Sequence, residues 1–301
     1  MKTDKPKLPK FTIKDFEKQF PTDDACLEWL KDYLYPNGIH CAKCERVTKH
    51  HKVASRKSYS CDYCGHHVHP TAGTIYHKSS TPLRLWFYAI YLMASTRCGI
   101  SAKQIERELG VTYKTAWRMF KQIRTMLDGN DDSPLSGRVE VDETYIGGKP
   151  RNRHASNGRG RSTEKKAIVV GAVERGGRVV ARHLPDVTGK TLLPFIKENV
   201  STESTVYTDE WPAYWSVKHN GFDHRTIQHR QKIYVNGDIH TNTIEGFWSL
   251  VKGGIRGVYR NVSDKYLQSY VNEYSFRYSN RYADKPMFHS FLHQVKKANG
   301  V

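Results

Sequence analysis

The chain has 301 residues, which is long enough for two or three domains that each bury a hydrophobic core. Lys and Arg number 48 against 30 Asp and Glu, so the formal charge is +18 and the isoelectric point lies near 9.6. This balance predicts a polyanionic partner, with nucleic acid first and an anionic membrane surface second, and 38% hydrophobic residues argue against a disordered chain.

No segment of the sequence is typical of membrane insertion or secretion. The longest apolar run, at residues 83–93, is shorter than the about 18 residues that a membrane span needs. The basic N-terminus is not followed by the apolar segment of a secretory signal. We therefore expect a cytoplasmic, nucleoid-associated protein with no membrane partner.

The N-terminal region begins with helical spacing and continues with a metal-binding pattern. Residues 11–34 carry apolar side chains at helical intervals, and Asp23 and Asp24 are expected to cap the helix that follows them. Four of the six cysteines then form two C-x-x-C pairs, which in a reducing compartment indicate metal ligands rather than disulfides. These ligands are Cys41, Cys44, Cys61 and Cys64.

The spacing of these cysteines predicts a zinc ribbon. Sixteen residues separate Cys44 from Cys61, and a hairpin over them brings the two pairs to a single ion. Four thiolates suit tetrahedral Zn²⁺ in a closed structural site. An iron site is the alternative.

Three helical segments follow, at residues 83–95, 101–109 and 112–127. A short turn at Gly110 joins the last two, and Thr112 caps the third, which is the layout of a helix-turn-helix. The exposed side of the third helix presents residue types that contact phosphates and base edges, namely Tyr113, Lys114, Thr115 and Arg118. A three-helix bundle that only packs is the alternative, and the net charge favours DNA binding.

A polar, turn-rich stretch at residues 128–137 is the main predicted boundary. Residues 149–166 form a basic loop that includes Arg151 and Arg153, and a loop of this length is usually functional or disordered. We expect it to contact DNA and to become ordered on binding, with a solvated loop as the alternative. The predicted domains are residues 1–80 with the ribbon, 81–130 with the helix-turn-helix, and 131–301 with the basic loop inserted.

The third domain opens on a strand in which apolar and acidic residues alternate. Val139 and Val141 share one face, and Glu140 and Asp142 share the other. Aspartate is depleted in strands, so Asp142 is a candidate functional residue. From residue 138 on, the pattern predicts three hairpin-linked strands and then helix, strand, helix, strand and helix. This order predicts an α/β domain with a ribonuclease-H-like mixed sheet flanked by helices.

In that fold the first and fourth strands are neighbours. Asp142 on the first strand would then face Asp209 at the end of the fourth. The helix after the last strand, at residues 240–254, would carry Glu245 to the same place.

Five segments of the sequence, taken together and in order, resemble a known family. They are CAKC and CDYCG followed by TAGTIYH, VEVDETYIGGK around Asp142, VYTDEW around Asp209, and HTNTIEGFWSLVKGGIRGVY from His240. Over nearly its whole length the chain resembles bacterial insertion-sequence transposases of the DDE type, in the group with a zinc ribbon ahead of an integrase-like core. The resemblance implies a DNA transposase that binds the terminal inverted repeats of its element, cleaves DNA strands and transfers 3′ ends.

The resemblance also implies the composition of the active site. Asp142, Asp209 and Glu245 would hold two Mg²⁺ or Mn²⁺ ions, with Asp142 between them, because hard cations prefer carboxylate oxygens and two ions stabilise both oxygens of the reacting phosphodiester. Members of the group vary at the third acidic position, so Asn242 is an alternative to Glu245. Candidate DNA contacts in the same segment are Lys252, with a solvated lysine as the alternative, and Arg256. His240 is a candidate for a place near the scissile phosphate, with a helix-capping or surface histidine as the alternative.

The implied partner is double-stranded DNA, both the transposon ends and the target, bound by a dimer or higher oligomer. One alternative is a catalytically inactive, transposase-derived DNA-binding regulator, which the intact acidic set disfavours. Another is a ribonuclease-H-type nuclease for RNA–DNA hybrids, which two DNA-binding modules ahead of the core disfavour.

Overall fold

The computed structural model describes residues 9–128, 133–147, 166–227 and 240–296. The chain divides into two compact units, which are Met1–Met126 with Ala283–Val301 and Leu127–Tyr282. We call them the first unit and the second unit. This division places no boundary at residue 80, and it groups the segment after Tyr282 with the start of the chain rather than with the predicted third domain.

The first unit begins with two helices and two small sheets. Its first elements are α1 (Ile13–Gln19), α2 (Asp23–Leu34), β1 (Ile39–Cys41), β2 (Arg46–Thr48), β3 (His50–Lys52), β4 (Tyr59–Cys61) and β5 (His67–Val68). β1 and β2 form an antiparallel hairpin, and β3, β4 and β5 form an antiparallel three-stranded sheet.

The cap of α2 differs from the expected one. The Thr22 side chain accepts the N–H of Ala25 and so caps α2. The Asp23 carboxylate instead accepts the N–H groups of Leu83 and Arg84, both at 2.9 Å. Asp23 therefore satisfies the first turn of the next helix, 60 residues along the chain, a tertiary contact that local sequence does not indicate.

Three further helices follow, α3 (Leu83–Ser95), α4 (Ala102–Leu109) and α5 (Tyr113–Met126). α4 ends at Gly110, whose φ of 63° lies in the left-handed region that glycine adopts without strain. Ala116, Phe120 and Ile105 are fully buried between these helices. The predicted helix–turn–helix arrangement is thus present at residues 102–126.

The second unit contains one five-stranded sheet with helices on both faces. Its elements are β6 (Arg138–Ile146), β7 (Ala167–Glu174), β8 (Val179–Leu184), α6 (Gly189–Asn199), β9 (Thr205–Asp209), α7 (Trp215–Lys218), β10 (Asp223–Ile227), α8 (Asn242–Gly254) and α9 (Asp264–Ser279). The strand order is β10-β9-β6-β7-β8, with β6, β7 and β8 antiparallel and β9 and β10 parallel to β6. This is the ribonuclease-H-like layout, and the predicted fold class is confirmed.

Strand β6 lies in the middle of the sheet and is covered on both sides. Val139 and Val141 belong to one core cluster with residues of α6 and α7, while Ile146 and Val169 belong to a second cluster with residues of α8 and α9. A polar side chain on this strand is therefore removed from water and needs a partner.

Two described segments differ from the expected helices. The second helix in the predicted order of the third domain, which the sequence places at residues 211–219, is instead a 3₁₀ turn at Pro212–Tyr214 and the four-residue α7. A last helix, α10 (Met287–Leu292), belongs to the first unit, where the ring of Phe288 stacks on Phe11 at 4.7 Å between centroids.

Among the described residues no helix has the length and apolar character needed to cross a membrane.

Candidate active site and zinc site

The two predicted aspartates lie at the same level of neighbouring parallel strands. β9 pairs with β6 so that Tyr207 is opposite Glu140. Asp142 and Asp209 each lie two residues further along, towards the carboxyl end of their strand. The sheet topology therefore brings these two carboxylates together, as the strand order predicted.

Asp142 is strongly perturbed by its surroundings. Its side chain is largely buried, and burial together with the negative charges of Glu143 and Asp209 raises its pKa to about 7. The indole N–H of Trp248, on α8, donates to Asp142 Oδ2 at 3.0 Å and partly offsets this shift. A nearby cation would relieve the repulsion, so the site suits a divalent metal ion.

Glu143 points to the opposite face of β6 but belongs to the same electrostatic group. Its Oε2 accepts the hydroxyl of Tyr214 at 2.7 Å, among the residues that pack against α6. Burial and the charge of Asp209 raise the pKa of Glu143. Asp209 thus interacts with carboxylates on both faces of the strand. Sequence alternation indicated the direction of Glu143 but not this coupling.

The third candidate lies on the first turn of α8. Glu245 is exposed, and its Oε1 accepts the hydroxyl of the buried Thr241 at 3.1 Å. Asn242 is the first residue of the helix and is also exposed. Both are exposed and lie one turn apart, so they share one face of the helix.

The other predicted residues of this segment are spread along α8 and the turn after it. Lys252 is half-buried, two turns beyond Glu245, and Arg256 is exposed in a π-helical turn at Ile255–Tyr259. His240 precedes α8 and directs Nδ1 towards Glu140 Oε1 at 3.2 Å.

Asp142, Asp209 and Glu245 do not converge on a single point. In the described part of the chain, the four ribbon cysteines are the one group of three or more His, Cys, Asp or Glu side chains whose ligand atoms all lie within 4.8 Å of one another. Carboxylates without a cation repel each other, and a pair of ions about 3.5–4 Å apart would separate their ligands further. At least one pair among the three acids is therefore more than 4.8 Å apart.

A glycine allows Trp248 to reach Asp142. Gly171 is paired with Asp142 across β6 and β7, and a Cβ at this position would lie 2.8 Å from two ring carbons of Trp248. A side chain here would push the indole away from the sheet and from the carboxylate. The alternating pattern of β7 does not reveal this requirement.

Glu140 is a polar residue of the site that the sequence interpretation missed. Its side chain is fully buried, and it accepts from the Nε of Arg175 at 2.6 Å and from the backbone N–H groups of Thr243 and Ile244 at 2.8 and 3.0 Å. The signal was an acid on a strand covered on both faces, because such an acid must be paired.

The four predicted zinc ligands do converge. Cys41 Sγ lies 3.5 Å from Cys64 Sγ, and Cys44 Sγ lies 3.9 Å from Cys61 Sγ. Four sulfurs placed about 2.3 Å from a tetrahedral ion are about 3.8 Å apart, so this geometry fits Zn²⁺. The four cysteines predicted as zinc ligands are therefore gathered in one place, and β3 and β4 form a hairpin between the two pairs.

One ligand is prepared for metal binding by its neighbour. The hydroxyl of Thr48 contacts Cys61 Sγ at 3.2 Å, and this hydrogen bond lowers the pKa of the Cys61 thiol to about 6. Thiolate is the form that binds zinc. Thr48, at the end of β2, is therefore an outer partner of the site.

The predicted DNA-reading residues lie on one helix. Tyr113, Lys114 and Arg118 are exposed on α5, and Thr115 is half-buried. One guanidinium N–H of Arg118 donates to the hydroxyl of Ser79 at 2.9 Å, so this side chain already has a partner within the first unit. The other predicted contacts, Arg151 and Arg153 in the loop 149–166, lie outside the described residues.

We expect the stability of the metal-free protein to fall as the pH rises from about 4 to about 7. In this interval Asp142 ionises in the unfolded chain but keeps its proton in the folded one, because its folded pKa is raised. The destabilisation is absent below pH 3.8, the ordinary pKa of an aspartate, and complete above pH 7, and a shift of this size corresponds to about 4 kcal/mol at most.

Denaturant unfolding of protein that keeps its zinc but has no Mg²⁺ or Mn²⁺, between pH 4 and 8, measures this effect. The Asp142→Asn variant is the matched control, and its advantage over wild type should appear only as the pH rises. Parallel profiles for the two proteins would contradict the shifted pKa.

Two family models match the chain. Residues 134–279 match the ISXO2-like transposase domain, and residues 21–67 match the transposase zinc-ribbon domain. The first range contains all five strands of the second unit, and the second contains Cys41, Cys44, Cys61 and Cys64.

Two relatives share this similarity. An uncharacterized protein in the transposable element ISH50 of Halobacterium salinarum is 29% identical over 270 residues, which is 83% of this chain and 90% of that protein. An uncharacterized transposase-like protein of Haemophilus influenzae is 36% identical over 69 residues, or 23% of this chain and 55% of that protein. A solved structure, a pre-cleavage Mos1 transpososome, is 12% identical with a TM-score of 0.31, covering 64% of this chain and 70% of that one. The fold assignment rests on the strand order.

Proposed function

Since the chain belongs to the insertion-sequence transposases that join a zinc ribbon to an ISXO2-like transposase domain, we propose that it binds the terminal inverted repeats of its element, cleaves DNA strands and transfers their 3′ ends. The observation that carries this proposal is the pair of aspartates at the same level of two adjacent parallel strands, Asp142 in the middle of β6 and Asp209 at the end of β9, with a raised pKa at Asp142.

Asp142, Asp209 and Glu245 are the proposed ligands of two Mg²⁺ or Mn²⁺ ions, with Asp142 between the ions. When bound, such ions stabilise the charge that develops on the attacking and leaving oxygens of a phosphodiester. Asp142 suits the central position because its charge is otherwise opposed by those of Glu143 and Asp209. Asn242 remains the alternative third ligand.

The first unit supplies the proposed recognition of the DNA ends. Tyr113 and Lys114 on the open side of α5 are the proposed base and phosphate contacts, with Thr115 and Arg118 beside them. In the second unit Lys252 and Arg256 are proposed to hold the transferred strand, and the charge of +18 supports binding along the backbone. Synapsis of two ends implies a dimer or larger assembly on DNA.

A transposition assay tests the proposed function. The gene, with its native flanking DNA, is scored for new insertions in a recipient plasmid, comparing wild type with Asp209→Asn. We expect insertions with wild type and at least about a 10³-fold loss with the variant, because removing a ligand of the ions removes charge stabilisation from the transition state.

Glu203→Gln is the matched control. It removes one carboxylate from an exposed turn of the same unit and should transpose like wild type. Equal insertion frequencies for Asp209→Asn and wild type would refute the assignment. No insertions from any protein, together with specific binding to the flanking DNA, would favour the inactive regulator.

A further inference from the structure

Helix α8 begins without a cap of its own. The residue at its N-cap position, Thr241, makes no side-chain hydrogen bond to the backbone of the first turn. Two of the N–H groups that a helix start leaves without partners, those of Thr243 and Ile244, instead donate to Glu140 Oε2. The hydroxyl of Thr243 donates to the other oxygen at 2.8 Å. A carboxylate on β6 thus takes the place of the missing cap, and its charge suits the positive end of the helix.

Glu140 is in turn held by a half-buried arginine. Arg175, in the turn after β7, donates from Nε to Glu140 Oε1 and from a terminal nitrogen to the backbone oxygen of His240 at 2.8 Å. Its guanidinium also lies over the ring of Tyr207 on β9, 4.4 Å from the centroid. Arg175 therefore contacts three elements: the strand of Asp142, the strand of Asp209 and the start of α8.

A second contact joins α8 to the same strand one turn further along. Trp248 donates to Asp142, which lies two residues after Glu140 on the same face of β6. Glu245 lies between the two contacts on the helix, and its carboxylate accepts a hydrogen bond from Thr241, which lies two residues before Thr243. The strand therefore holds the helix on both sides of the turn that carries Glu245.

We propose that Glu140, held by Arg175, is a positioning residue that places Glu245 at the correct distance from Asp142 and Asp209. This inference rests on the proposed function, because it assigns Glu140 a purpose in the same site. Glu140 touches none of the proposed ligand atoms and acts through α8. Loss of its charge would free the first turn of the helix and let Glu245 move relative to the two aspartates.

Binding of Mn²⁺ tests this proposal without relying on catalysis. Electron paramagnetic resonance of free Mn²⁺ gives the dissociation constant for wild type, Glu140→Gln, Glu245→Gln and the double variant. Glutamine keeps the size of the side chain and one acceptor oxygen. We expect Glu140→Gln to weaken binding about tenfold, since loss of a partner that orients a metal ligand costs 10- to 100-fold in affinity.

The double variant distinguishes positioning from a general structural effect. If Glu140 acts through Glu245, the Glu140→Gln change should alter Mn²⁺ affinity by less than about twofold once Glu245 is already glutamine. Additive losses in the double variant, or unchanged affinity in Glu140→Gln alone, would overturn the proposal. Glu198→Gln, on the exposed side of α6, is the charge-matched control.

Cleavage of a DNA end at increasing Mg²⁺ gives an independent readout. Glu140→Gln should cleave slowly at limiting Mg²⁺ and recover most of its rate at high Mg²⁺, whereas a loss that high Mg²⁺ does not restore would contradict positioning. If Glu140→Gln does not fold, Arg175→Lys replaces it, because lysine keeps the charge but cannot reach Glu140 and His240 together.

The proposed function fails separately. If Glu245→Gln and Asp142→Asn both bind Mn²⁺ as tightly as wild type, the proposed metal site is refuted. This conclusion does not depend on the result for Glu140.

Discussion

Asp142→Asn is expected to abolish DNA strand cleavage, with a rate at least about 10³-fold below that of wild type, while binding of the transposon end stays within about twofold. Asparagine has the shape of aspartate but lacks the charge that the proposed central ligand of two ions must supply. The predicted DNA contacts of α5 lie in the other unit, so they are unaffected. Single-turnover cleavage of a labelled end and a band-shift titration measure the two quantities.

This variant should also be more stable than wild type at pH 8 when zinc is kept but no Mg²⁺ or Mn²⁺ is present. Asp142 is partly buried and feels the negative charges of Glu143 and Asp209, so removing its charge relieves the folded state of a repulsion. Loss of activity with a gain in stability separates a catalytic defect from misfolding. Glu198→Gln should change neither property, and cleavage by Asp142→Asn at a rate near wild type would refute the assignment.

Removal of zinc is expected to unfold residues 36–70 and to abolish binding of the DNA end. The strands of the ribbon have two or three residues each, which is too few to form a stable core. The folding free energy therefore comes from binding the ion, which contributes about 10–16 kcal/mol in small zinc modules. Limited proteolysis and near-ultraviolet circular dichroism, before and after treatment with a strong chelator, measure the loss, and added Zn²⁺ should reverse it.

Cysteine substitutions provide the matched pair for this experiment. Cys61→Ser should reproduce the effect of the chelator, because it removes the ligand with the lowered pKa. Cys98→Ser should have no effect, because Cys98 is exposed and lies outside the cluster of four sulfurs. Resistance of residues 36–70 to protease after complete removal of zinc would contradict a structural metal site.

Features with local patterns were predictable. The alternation from Val139 to Asp142 defined both a strand and the face of its acid, and the order of later elements placed the strands of Asp142 and Asp209 side by side. Cysteine spacing defined the zinc ligands, because two C-x-x-C pairs leave few other geometries. In each case the chemistry lies within a few residues or in the element order.

Features that depend on tertiary contacts were not predictable. Glu140 contacts residues more than 100 positions away, and nothing around it in the sequence shows that a helix start will lie above it. Asp23 was assigned to the nearest helix but caps a distant one. Gly171 resembles any glycine in a strand, and its purpose becomes visible only when Trp248 is placed.

Helix α10 has a consequence for synthesis on the ribosome. Phe288 packs against Phe11, Phe16 and Phe20. The hydroxyl of Tyr33 donates to the backbone oxygen of His293. The aromatic core of the first unit therefore needs residues that are translated more than 250 positions later. The second unit is complete in the nascent chain before that core can close. A chain released early therefore lacks part of the fold that presents α5, and incomplete translation products are expected to compete poorly with the full protein for the ends of the element.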